Sequence, residues 1–134
     1  MARYAIDAPT LVHVVDGDVP VHPDHQLVAS RSVRSDALQL LLRDVSVGNR
    51  SDAEALACHE KLTELKLRLL GDRVSRRTAW RIARDQGWDV FRDAESVAIA
   101  TLQADALVTV DRDLATRAAA LVQIASVEVL STGG

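Results

Sequence analysis

Short apolar runs alternating with helix-patterned stretches constrain the fold of this chain more than any other feature. Residues 3–6 (Arg-Tyr-Ala-Ile), 27–29 (Leu-Val-Ala), 65–70 (Leu65, Leu67 and Leu69 against Lys66 and Arg68), 106–110 (Ala-Leu-Val-Thr-Val) and 127–130 each have the length and content of a strand. Pro9 marks a helix start after the first run, and Gly17, Asp18, Pro20, Pro23 and Asp24 then make residues 17–25 a loop. Ser30 or Ser32 caps a helix to about Val47, with Val33, Ala37, Leu40, Leu41 and Val45 at helical spacing before Gly48-Asn49 stops it. Ser51, with Glu54 as its capping-box partner, opens a helix over 52–64. Three more helices are predicted: Ser75 to Gln86, closed by Gly87; one starting at Asp93 and carrying Ala94, Val97, Ala98, Ala100 and Leu102; and about Leu114 to Leu121. The Gly133-Gly134 end reads as a frayed tail.

Parallel neighbours need helical crossovers, so this order predicts an α/β domain in three layers, with a parallel sheet of about five strands flanked by helices. At 134 residues and 48% apolar content the chain supports one domain over 1–134, with no internal repeat and no low-complexity linker. No apolar run approaches the length of a membrane span, and the start lacks a basic segment followed by a long apolar one, so the expectation is a cytoplasmic protein without a membrane partner. The single cysteine, Cys58, suits a reducing compartment and reads as a small buried residue. A net charge of −3 argues against coating nucleic acid through bulk positive charge, though local patches remain open to it. Acidic residues are lopsided, with fourteen Asp to five Glu, and Asp favours caps, turns and sites over helix interiors.

Two of those aspartates share a structural position. Asp7 and Asp111 each follow an apolar strand, at the carboxyl edge where open parallel sheets bind ligands. Asp36 falls in the first turns of the helix after the second strand, and Asp93 starts the helix before the fourth. Converging carboxylates repel by roughly 4 kcal/mol per pair at 4 Å, so such a cluster calls for cations or protons, and hard Mg²⁺ or Mn²⁺ prefer carboxylate oxygens.

From Tyr4-Ala-Ile-Asp7 through Leu27-Val-Ala29 and Arg34-Ser-Asp36-Ala-Leu to Asp93-Ala and Leu107-Val-Thr109-Val-Asp111, the sequence resembles PIN domains, and among them the VapC-like toxins of bacterial VapBC pairs. The resemblance implies that Asp7, Asp36, Asp93 and Asp111 are the catalytic and metal-binding residues of an Mg²⁺- or Mn²⁺-dependent endoribonuclease that leaves a 5′-phosphate. It also implies an RNA substrate, a cognate antitoxin partner and a homodimer. Pro9 stands where many relatives carry Ser, and Asp36 where the family usually has Glu.

Plainer readings stand beside these. Asp36 and Asp93 also suit the helix dipole, and Asp7 and Asp111 suit turns. Asp113 is either a further ligand or, preferably, the cap of the next helix, while Thr109 either orients Asp111 through its hydroxyl or is a plain strand residue. Arg77, Arg81 and Arg84 fall on one helical face beside Trp80, just after Arg73, an arrangement suited to RNA phosphates and a stacked base and equally to a solvated face. Trp80 and Trp88 read first as core or interface residues. His22 and His25 have metal-like spacing in a loop without a further soft ligand. The alternative functions are a catalytically weak PIN-like binding or assembly module, and a phosphatase-like enzyme with Asp7 as nucleophile. The latter needs a second Asp where Pro9 stands.

Overall fold

The structure, a computed structural model, describes residues 2–133. Five parallel strands, β1 (Arg3–Ile6), β2 (Gln26–Ser30), β3 (Arg68–Leu70), β4 (Ala106–Val108) and β5 (Ile124–Ala125), form one sheet in the order β3-β2-β1-β4-β5. Six helices connect them: α1 (Ala8–Asp16), α2 (Val33–Ser46), α3 (Asp52–Glu64), α4 (Arg73–Gln86), α5 (Phe91–Gln103) and α6 (Arg112–Ala118). β1 lies at the centre, with Ala5 beside Val28 of β2 and Leu107 of β4.

Strand side chains alternate between two cores, as the pleat requires. Ile6, Leu27, Ala29 and Val108 pack with Leu11, Val33, Leu41 and Leu62 from α1, α2 and α3. Ala5, Val28 and Leu107 pack with Val97, Ile99 and Leu114 from α5 and α6. The strands are apolar on both faces because both faces are covered, which is why they read as continuous runs. Helix α4 lies outside α5, joined to it by a small-residue seam of Ala79 and Ala83 against Ala94 and Ala98. Cys58 is buried and unpaired, as expected. Among the described residues, no helix is long and apolar enough to cross a membrane.

Several boundaries move from their predicted places. The capping box of Ser51 and Glu54 and the span of α3 are as read from the sequence. Helix α4 starts at Arg73, not Ser75, because the Asp72 carboxylate caps it and Ser75 is the reciprocal partner, three residues in. Gly87 closes it with a left-handed φ of 69°. Strand β3 is confined to 68–70, since Leu65 still belongs to the C-terminus of α3. Helix α5 begins at Phe91 and places Asp93 in its first turn. Strand β4 ends at Val108, and the Val110 amide bonds instead to the Thr10 hydroxyl. Residues Val127–Ser131 form a 3₁₀ turn that buries Leu130, and the last strand lies earlier, at Ile124–Ala125. Gly133 has no regular structure, and Gly134 of the expected tail lies outside the described residues.

Candidate active site

The strand order reverses at β1: the chain first builds outward through β2 and β3, then crosses to β4 and β5 on the other side. The carboxyl ends of β1 and β4 therefore diverge into a crevice. A cleft of about 310 Å³ opens there, and Asp7, Asp36, Asp93 and Asp111 all contribute to its lining. The four aspartates singled out from the sequence thus meet in one cleft from four different elements.

The strand-borne wall is held by hydroxyls. Asp7, extended and capping α1, is 8% exposed. Its Oδ1 accepts from the Thr10 amide at 3.3 Å and from the Thr10 hydroxyl; its Oδ2 accepts from the Thr109 hydroxyl at 2.7 Å. Burial pushes the Asp7 carboxyl above its ordinary value, and the hydrogen bonds from Thr10 and Thr109 oppose that push in part. Thr109 also accepts from the Asp111 amide at 3.1 Å, so its hydroxyl ties the two strand-end aspartates together. The bond to Asp111 reaches its backbone amide and not its carboxylate, whereas the bond to Asp7 reaches the carboxylate itself. Asp111 caps α6, its Oδ1 accepting from the Asp113 and Leu114 amides at 3.0 and 3.2 Å. The cap expected of Asp113 is therefore supplied by Asp111; the helix starts two residues earlier than Leu114 and needs its donor satisfied there.

The helix-borne wall is held by arginines. Asp36 accepts from the Ser32 hydroxyl at 3.0 Å and pairs with Arg92 at 3.0 Å. Asp93 pairs with Arg117 at 2.7 Å, and the same guanidinium reaches exposed Asp113 at 2.8 Å and lies over the Trp88 ring at 4.8 Å. The hydrogen bond to Asp93 is the chief cause holding the Arg117 pKa above its ordinary value. Next to Asp93, Glu95 is raised by burial and by the nearby Asp36, with Arg76 and Arg92 working against the shift. Asp36 and Asp93 turn to arginines, and no group of three or more His, Cys, Asp or Glu among the described residues is arranged to hold a metal ion. The donor set itself, four carboxylates around one cleft, has the hard-oxygen chemistry that Mg²⁺ and Mn²⁺ take.

Thr10, Arg92 and Arg117 were not singled out from the sequence. Thr10 had a local signal, an Asp-x-x-Thr spacing at a helix start, since the residue three beyond a capping Asp faces its carboxylate. The arginines had none beyond the spacing of Arg117 four residues after Asp113.

The remaining candidates lie elsewhere. His22 accepts the Asp24 amide on Nδ1, and His25 binds the Thr132 carbonyl through Nε2 while packing edge-on against Tyr4. The His25 contacts secure the loop to the C-terminal segment and to β1. Arg77, Trp80, Arg81 and Arg84 share one exposed face of α4 around a shallow depression of about 350 Å³. Trp80 is 63% exposed, contrary to a core reading, whereas Trp88 packs against the α5 core.

No family profile matches the chain, and no curated protein is significantly similar to it. Solved structures do resemble it. PAE2754 from Pyrobaculum aerophilum aligns at a TM-score of 0.74 and 24% identity, over 97% of this chain and 93% of that one. VapBC-1 from nontypeable Haemophilus influenzae aligns at 0.55 and 13% identity, over 94% of this chain and 98% of the other. At such identities the likeness establishes architecture: a five-stranded parallel sheet between helical layers, in a PIN-like arrangement.

Proposed function

We propose that the chain is an Mg²⁺- or Mn²⁺-dependent endoribonuclease of the VapC type, the toxin of a cytoplasmic toxin–antitoxin pair. The observation that carries this reading is the meeting of Asp7, Asp36, Asp93 and Asp111 in one cleft at the carboxyl edge of the sheet, where the strand order reverses. Asp7 and Asp111 would hold a divalent cation, with Asp36 and Asp93 completing the set as they exchange arginine for metal. Such an ion supplies activation of water and neutralises charge on a phosphodiester. Thr10 and Thr109 fix the Asp7 carboxylate in one orientation, which spares the site that ordering cost when a ligand arrives. Arg92, 66% exposed in its side chain, stands at the rim where a phosphate oxygen can replace Asp36 as its partner. An antitoxin partner belongs to this reading, supported by the resemblance of the sequence and by the name of one structural neighbour, and a homodimer belongs to it on the resemblance alone.

A second reading has its own support. The Asp36–Arg92 and Asp93–Arg117 pairs already neutralise half of the cluster, as expected of a PIN-like binding or assembly module with weak catalysis. Incubating the purified chain with single-stranded RNA decides between them. Cleavage to 5′-phosphate ends in Mn²⁺ or Mg²⁺, suppressed by EDTA and abolished by Asp111→Asn, is the expected outcome. A folded protein that leaves RNA intact in both metals selects the module.

A further inference from the structure

Helix α4 divides its sequence sharply between two faces. Inward it presents the buried small residues Ser75, Ala79 and Ala83, the two alanines packed against Ala94 and Ala98 of α5, with partly buried Ile82 beside them. This close seam seats α4 on α5 and leaves its outward face to solvent. Outward it presents Arg73, Arg76, Arg77, Arg81 and Arg84, five of the fourteen arginines in the chain, and Trp80. Arg77, Arg81 and Arg84 recur at intervals of four and three residues, and Trp80 sits between them around the shallow depression, which Asp85 also lines, three arginines to one acid.

Two observations separate this face from an ordinary solvated helix. Every ion pair among the described residues is made by His22, Arg50, Lys61, Arg92 or Arg117, so none of the α4 arginines is committed to an internal acid. And a 63% exposed indole among guanidinium groups leaves a large apolar surface in water with no partner of its own. The protein as a whole carries −3, so this positive charge is local. A second copy docking by two-fold symmetry would set arginines against arginines, which Coulomb repulsion opposes. A polyanion with flat, unpaired rings satisfies both features, because phosphates neutralise the arginines and a base stacks on the indole.

From this geometry we infer that the outward face of α4 is a binding surface for single-stranded nucleic acid. Duplex fits less well, since its bases are already stacked on one another. The surface lies on the helix packed against α5, and the first turn of α5 carries Arg92 and Asp93 at the cleft. The placement rests on and deepens the nuclease reading by locating where the strand is held outside the cleft, yet binding is measurable without cleavage.

The test is fluorescence anisotropy of a labelled oligouridylate, titrated with the full chain carrying Asp7→Asn, in EDTA, at several salt concentrations. Saturable binding is expected, weakening as salt rises. Replacing Arg77, Arg81 and Arg84 together with Ala should lower the salt slope by about 2, at roughly 0.7 per phosphate contact for single strands. Trp80→Ala should weaken binding about tenfold and Trp80→Phe less, because a phenyl ring keeps a stacking face. Lys66→Ala, on a remote surface, serves as the unaffected control. A deoxyoligonucleotide of the same length should bind comparably, as neither arginine nor indole reads the 2′-hydroxyl. A salt slope unchanged in the triple variant, unchanged affinity in Trp80→Ala, or equal binding of duplex RNA overturns the inference. If the parent cleaves RNA in Mn²⁺ while the α4 variants bind normally, this surface is wrong and the nuclease reading survives. Intact α4-dependent binding with no cleavage leaves the surface standing and removes the nuclease.

Discussion

The two walls of the cleft carry the same residue type and treat it in opposite ways. On the strand wall Asp7 and Asp111 receive only neutral donors, from the Thr10 and Thr109 hydroxyls and from backbone amides. On the helix wall Asp36 and Asp93 each face a guanidinium. Neutral donors orient a carboxylate without cancelling its charge, so the strand wall keeps a fixed negative potential. Ion pairs cancel the charge but depend on long side chains that can be exchanged at modest cost. On the proposed metal-dependent reading the difference would give the walls separate tasks: the strand wall would offer a cation a standing site, and the helix wall would adjust around it.

Neutralising the strand wall has the largest expected consequence. Asp7→Asn should remove RNA cleavage entirely, yet in EDTA at neutral pH the variant should be at least as stable as the parent. The sign follows from the raised pKa of Asp7. Below about pH 3.9, the ordinary aspartate value, the group is protonated folded or unfolded and contributes no difference. As pH rises past that value the unfolded chain ionises first, and the penalty for a buried charge grows until pH exceeds the folded value. Denaturant unfolding of both proteins from pH 3 to pH 7 should therefore show curves that meet at the acid end and separate upward, with the variant above. A gap independent of pH would mean that burial does not govern this carboxylate.

The support beneath Asp7 comes next. Thr10 is fully buried; its hydroxyl donates to Asp7 and accepts from the Val110 amide. Thr10→Val keeps the shape and leaves a carboxylate oxygen and an amide each short of a partner, at a cost of about 2–3 kcal/mol. Chemical denaturation reads that loss directly; a change below about 0.5 kcal/mol would show that water replaces the hydroxyl. Arg117→Ala on the other wall should cost less, about 1–2 kcal/mol, because its two acids and its seat on Trp88 are partly exposed. If Arg117→Ala proves the costlier change, the supposed division between a rigid and an adjustable wall fails.

The two walls also differed in legibility. Asp7 and Asp111 stand out because each ends an apolar run, and the strand period carries them to the sheet edge without knowledge of any other contact. The capping box of α3 is equally local, with donor and acceptor three residues apart. The helix wall is built from pairs such as Arg117 with Asp93, 24 residues apart, whose meeting depends on how α5 and α6 flank β4. No window of sequence contains that. At α4, Asp72 and Ser75 are both good caps three residues apart, and either can be the first of the pair. β5 has two residues, too few to display a period, so the longer apolar stretch of Val127, Val129 and Leu130 drew the strand assignment although it is a 3₁₀ turn.

The smallest expected effect is also the sharpest test of the helix wall. Arg92 is 66% exposed and meets Asp36 at 3.0 Å, so Arg92→Gln should alter stability by less than about 0.5 kcal/mol, as exposed pairs do. Its influence should appear only when a cation is offered. In the parent, Mn²⁺ must compete with Arg92 for Asp36, whereas in the variant that carboxylate is uncommitted apart from the Ser32 hydroxyl. Melting temperature measured against Mn²⁺ concentration should rise in both proteins, by several degrees at a hundredfold excess over the dissociation constant, where binding contributes about 2.7 kcal/mol. The variant curve should begin its rise at lower metal concentration, and the same curve for Asp7→Asn should be flattened. A surface carboxylate such as Glu128, exchanged for Gln, should leave the parent curve in place. Should Arg92→Gln need more metal than the parent, Arg92 helps to hold the ion's surroundings, and the helix wall is as fixed as the strand wall. Should no protein respond to Mn²⁺ at millimolar concentration, the strand wall is not a standing cation site either.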